Sequence, residues 1–99
     1  LSYQVLIEEK AMEFLSLLPE KSKRIVRDHC LSLAKNPFPG KAGDKEALYL
    51  SGHRTLYRLH VARSYTVFYR IFEDERIVRI LAIMTIEQAH KMYGRLDSS

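Results

Sequence analysis

Between Leu56 and Phe72 the chain reads L-Y-R-L-H-V-A-R-S-Y-T-V-F-Y-R-I-F, two runs in which apolar residues recur at every second position. Strict alternation over six to eight residues marks half-buried β-strands, and the small polar interruption at Ala62-Arg63-Ser64 marks the turn of a hairpin. A three-residue turn pairs Val61 with Tyr65 and gathers Tyr57, Leu59, Val61, Tyr65, Val67, Tyr69 and Ile71 on one face. That face is core. The opposite face then sets Arg58 across from Phe68 and His60 across from Thr66, with Arg70 and Phe72 further along. A two-residue turn would mix the basic row with the core row, which argues against it.

Other segments follow the same logic. Tyr3 to Ile7 is short and β-prone, and it leads into E-E-K-A-M-E-F-L-S-L-L, where Ala11, Phe14, Leu15 and Leu18 fall at helical spacing. Pro19, at a first helical position, opens a second helix that places Val26, Cys30 and Leu33 on one side and ends at Asn36-Pro37. The two helices form an antiparallel pair. Asn36 to Lys45 holds two of the three prolines and two of the four glycines, so it is a loop. After it Ala47 to Leu50 is extended, the hairpin follows, and Ile77 to Ile83 (I-V-R-I-L-A-I) is apolar enough on both sides to be an interior strand. Thr85-Ile-Glu-Gln88 has the capping-box pattern and starts a last helix, with Ile86, Ala89 and Tyr93 along one side and Gly94 near its end. The expected fold is a small α+β domain over residues 1–99, ordered β-α-α-β-β-β-α, with a twisted, mainly antiparallel sheet and two N-terminal helices packed on one face.

Length and composition narrow the class. A chain of 99 residues buries roughly 60–70% of its unfolded surface around one core without staples. Cys30 is the lone cysteine and has no internal disulfide partner, which favours a reducing, cytoplasmic setting. No apolar run approaches the ~20 residues of a membrane span, and Leu1–Ile7 lacks the features of a secretory signal. The net charge of +4 and pI near 9.3 favour polyanionic partners such as RNA, DNA or an acidic protein segment.

Candidate chemistry concentrates on the basic row. Arginine, imidazole and aromatic rings together suit an RNA phosphodiester: fixed charge for the phosphate, a titratable ring for proton transfer, rings for stacking. The same row also fits a solvated sheet face on which Arg and His are soluble, β-tolerant residues. His29, His53, His60 and His90 have no ligand spacing such as His-x-x-x-His, so no metal site is expected, and no cofactor motif is present. Gly40 to Lys45 lacks the preceding strand and following helix of a phosphate loop.

The element order, the Y-R-L-H-V and S-Y-T-V-F-Y-R-I strands and the E-D-E-R-I-V-R-I-L-A-I strand resemble the RelE/ParE superfamily of toxins from toxin–antitoxin pairs. The resemblance spans nearly the whole chain and is strongest over Leu56–Ile83. It implies a cognate antitoxin as partner and, for RelE-type members, metal-independent cleavage of messenger RNA on the ribosome, inhibiting translation. Carried over by position, Arg58 and His60 match the two basic residues of the first hairpin strand. The late aromatic falls at or beside Tyr93, with His90 one helical turn earlier. With Arg70 these five are the candidate catalytic residues, His60 transferring the proton. Two positions depart from the family pattern. Thr66 follows Tyr65 where the family usually has arginine, and Met84-Thr85-Ile86 stands where a Gly-His/Lys-Arg motif usually follows the last strand. The departures bring in two rivals to an endoribonuclease: a ParE-like inhibitor of DNA gyrase, and an inert module that binds only its antitoxin.

Overall fold

A computed structural model describes residues 2–98, with side chains described through Met92. Five strands form one sheet in the order β1-β5-β4-β3-β2: β1 (Gln4–Ile7), β2 (Lys45–Leu48), β3 (Leu56–Val61), β4 (Tyr65–Phe72) and β5 (Ile77–Thr85). Three helices accompany them: α1 (Glu9–Ser16), α2 (Glu20–Ser32) and α3 (Ile86–Ser98). β1 runs parallel to β5, and the other pairings are antiparallel. The anticipated order holds, and the extended segment before the hairpin pairs as a short edge strand. That strand begins at Lys45 instead of Ala47, which brings Glu46 into the sheet directly opposite Arg58. The last helix also continues through Gly94, where an end was expected.

The hairpin register is the one required by a three-residue turn: Val61 pairs with Tyr65, His60 with Thr66, Arg58 with Phe68. Ser64 N–H donates to the Val61 carbonyl at 3.0 Å, and Ala62 and Arg63 take positive φ of 52° and 59° to close the turn. Left-handed backbone at two non-glycine residues is unfavourable, so burial of the strands on either side holds the turn in place.

One face of the sheet packs under α1 and α2. Leu59, Val61, Val67, Tyr69, Ile71, Val78, Ile80 and Ile83 meet Ala11, Leu15, Val26, Cys30 and Leu33 in a continuous cluster. Tyr69 is fully buried, stacks on Tyr57 with ring centroids 5.4 Å apart, and donates its hydroxyl proton to the Pro37 carbonyl at 2.6 Å. This bond satisfies the phenol inside the core and ties the Asn36–Asp44 loop to it. Burial, with smaller repulsion from Tyr57 and Asp44, pushes the Tyr69 phenol well above its ordinary pKa, and burial raises the Cys30 thiol to about 12.

β5 contains an irregularity hidden by its apolar sequence. Phe68 pairs with Ala82 but Tyr69 pairs with Ile80, so Leu81 is extra. The bulge reverses the in–out phase of β5. Val78 and Ile80 face the helices before it, and Ile83 does so after it.

Candidate functional site

The second face was expected to be an exposed sheet surface, and the structure corrects this over its middle. Phe68 is 2% exposed and Thr66 1%. Phe68 packs with Leu56 and Ala89 in a second apolar cluster joined by Leu48, Leu50, Leu81, Ala82, Met84 and Met92. The cause is α3, which folds back over this face. Thr85 N–H donates to Gln88 Oε1 at 2.9 Å and Gln88 N–H donates to Thr85 Oγ at 3.2 Å, so the capping box forms as read and turns the chain at the end of β5. Phe68 is therefore a packing residue and unavailable to stack on a base.

Arg58 and His60, two residues apart on β3, point to this face beside the apolar cluster. Both meet one carboxylate. Arg58 Nη2 donates to Glu46 Oε2 in a close ion pair, and His60 Nε2 lies 3.6 Å from Glu46 Oε1. The hydrogen bond from Arg58, aided by the charges of Arg58 and His60 and opposed by burial, lowers the Glu46 carboxyl below its ordinary pKa. The His60 backbone N–H donates to the Asp44 backbone carbonyl at 2.9 Å, fixing this end of β3 against the loop. The arrangement is a compact Arg–Glu–His cluster in which the anionic site is already filled by the protein's own carboxylate.

The other candidates separate from that pair. Arg70, also on this face, lies opposite Arg79 across the β4–β5 pairing. Its Nε is buried with no hydrogen-bond partner among the described residues. His90 is exposed on α3, one position after buried Ala89. The side chain of Tyr93 lies outside the described residues. The structure therefore brings Arg58 and His60 together and adds Glu46, which sequence reasoning missed because the strand that carries it was placed two residues late. Arg54 and Arg79, which flank Phe72, were also missed.

Thr66, one of the two positions that lack the superfamily's arginine, is the direct partner across β4 and β5 of Met84, which opens the Met84-Thr85-Ile86 segment whose last residue is the other. Thr66 is buried and Met84 packs against the second apolar cluster. Among the described residues no group of three His, Cys, Asp or Glu side chains is placed to hold a metal ion, and no helix is long and apolar enough to cross a membrane.

A five-stranded sheet with a helical hairpin on one face and a basic row on the other is the architecture of the RelE/ParE toxins. The chain is similar to a chain of the archaeal RelE–RelB complex from Pyrococcus horikoshii OT3, at 25% identity and TM-score 0.72, covering 86% of this chain and 96% of that one. It is also similar to a chain of the toxin–antitoxin complex RelBE2 from Mycobacterium tuberculosis, at 20% identity and TM-score 0.72, over 86% and 99% of the two chains. In the Escherichia coli RelBE toxin–antitoxin complex a chain 15% identical gives a TM-score of 0.62, over 82% and 93%. No curated protein matches the chain. The family described as the ParE toxin of type II toxin-antitoxin system, parDE, matches residues 6–89. The chain belongs to this family and is a toxin component of the RelE/ParE type.

Proposed function

We propose that this toxin acts as a ParE-like inhibitor of DNA gyrase, held inactive by a cognate antitoxin, and does not cleave messenger RNA. The observation that carries the reading is Glu46. A phosphodiester-cleaving site needs Arg58 and His60 to face a phosphate, and here one carboxylate faces both. An anionic substrate would have to displace that carboxylate or bind against its charge. Thr66, which is buried, and Ile86, the first residue of α3, support the same reading, because they stand where the family resemblance sets arginines that would neutralise charge developing in the transition state. An antitoxin partner is supported by family membership and by the RelE–RelB complexes of similar fold.

The rival reading rests on one observation, that Arg58 and His60 do share a row. One purified preparation separates the two. Supercoiling of relaxed plasmid by gyrase and cleavage of ribosome-bound message are measured side by side. The expected result is blocked supercoiling with intact message. In the same assays His60→Ala leaves gyrase inhibition unchanged. Message cleavage that drops about 10²–10⁴-fold in His60→Ala would establish general acid–base catalysis by this residue and overturn the proposal.

A further inference from the structure

At the end of the second face away from Thr66 and Met84, two arginines flank one ring and a third lies on the same face beside them. The Arg54 guanidinium lies 4.5 Å from the centroid of Phe72, and the Arg79 guanidinium lies 5.8 Å from it. Arg70 is the direct cross-strand partner of Arg79, on the same face as Phe72. Like charges set opposite each other in an antiparallel pair destabilise it. The protein does little to offset this. Arg79 has one carboxylate, Glu8, at 3.7 Å with both side chains nearly half exposed. Arg70 Nε has no partner among the described residues. Arg54 makes no ion pair among the described residues, although Glu73, Asp74 and Glu75 line the same recess of about 210 Å3. Its guanidinium is oriented by the ring. Arg58, on the neighbouring strand, has the Glu46 carboxylate.

We infer that Arg54, Arg70 and Arg79 form an oxyanion site for a backbone phosphate of a nucleic-acid strand, separate from the Arg58–His60–Glu46 cluster. Neighbouring strands lie roughly 5 Å apart, so Arg70 and Arg79 can converge on a single phosphate from two sides. A guanidinium presents its N–H groups as a rigid fork that matches phosphate oxygens two at a time, and stacking on Phe72 holds Arg54 and Arg79 in place before the ligand arrives. The bound phosphate would relieve the Arg70–Arg79 repulsion. DNA and RNA offer the same phosphodiester, and the site as built does not depend on whether the toxin's target is gyrase or the ribosome.

The test uses the intact chain and fluorescein-labelled 12-mers of one sequence as single-stranded DNA, single-stranded RNA and duplex DNA, followed by anisotropy at several salt concentrations. Arg54→Gln, Arg70→Gln and Arg79→Gln are each expected to weaken binding about five- to tenfold and to make the salt dependence shallower by about one unit of log–log slope. Arg24→Gln and Arg27→Gln, exposed on α2, are expected to change it less than twofold. Arg70→Lys keeps the charge and loses the fork, so it should retain only part of the affinity. The preferred 12-mer identifies the nucleic acid. Arg54 and Arg79 are exposed, so their variants carry the test even if Arg70→Gln perturbs the fold. Equal losses in the α2 and cluster variants would overturn the inference in favour of diffuse charge, as would absence of saturable binding to all three 12-mers at low salt. Displacement of the 12-mers by a poly-glutamate peptide more readily than by unlabelled oligonucleotide would assign the arginines to an acidic protein segment instead. Each of these readouts is independent of the supercoiling and cleavage assays, so the proposed target stands or falls separately.

Discussion

The two faces of the sheet are built by different rules. Among the described residues, thirteen buried side chains form one cluster under α1 and α2, whereas the apolar cluster beneath α3 has three, rimmed by half-buried side chains and by arginines. The first face is specified by hydrophobic burial, which is insensitive to the exact partner, and it tolerates little change in volume. The second is a compromise between a small apolar cluster and a set of charged groups. Charge is kept there at some cost to stability, as the Arg70–Arg79 pairing illustrates. Stability therefore resides mainly on one face, and the proposed recognition site lies on the other.

The sharpest test of this contrast uses neighbours on one strand. Leu59→Ala empties a fully enclosed site on the helix-covered face and should cost roughly 2–5 kcal/mol, read from denaturant titration. Arg58→Ala, pointing the other way, should stay within about 1 kcal/mol of the parent, because it removes an ion pair and leaves no cavity in the main core. Comparable losses in the two variants would show that the second face also carries the fold.

Alkaline pH should act on the helix-covered face. Cys30 and Tyr69 both lie there, and both remain protonated when folded at pH values where the unfolded chain has released the proton. The folded state then binds more protons, so its stability is complete below the ordinary thiol value of 9.0 and falls as pH rises toward about 12. Unfolding free energies measured between pH 8 and 11 should decline, and Cys30→Ala should flatten the early part of that decline. A pH-independent plateau would mean that neither group is protected by this face.

Loosening α3 should disturb only the second face. Thr85→Ala removes the hydroxyl that accepts the Gln88 N–H and should cost about 1 kcal/mol. Amide exchange should quicken in α3 and around Phe68 while Leu59, Val67 and Tyr69 keep their protection. Uniform acceleration would show that the two clusters unfold as one.

The smallest effect expected is an acid limb from Glu46. Its carboxyl is held below the ordinary value in the folded chain, so the stabilisation it adds is present above about pH 4.5 and disappears as pH falls through its lowered pKa. The pair is partly exposed, so the limb is shallow. Glu46→Gln should remove it without altering the alkaline decline. An unchanged acid limb in that variant would assign the acid sensitivity to other carboxylates.

Much of the fold was determined by the sequence locally. Alternation from Leu56 to Phe72 specified the hairpin, and the requirement that one row be wholly apolar selected the three-residue turn and with it every cross-strand neighbour. The Thr85–Gln88 box set the start of α3 because both of its hydrogen bonds span only three residues. Helical spacing placed Leu15, Val26, Cys30 and Leu33 inside. Only the tertiary structure decided how the second face would look. Glu46 reaches Arg58 and His60 through a pairing across the Tyr49–Thr55 connection, whose length leaves the register of β2 undetermined by local pattern. The Leu81 bulge is concealed in an apolar run with no period to interrupt. Phe68 and Thr66 become buried because α3 turns back across them, and a capping box states where a helix begins but not where it goes. The physical reason is one of range. Periodicity and caps are short-range and additive, whereas whether an arginine meets a carboxylate, another arginine or an aromatic ring depends on strands brought together from distant parts of the chain.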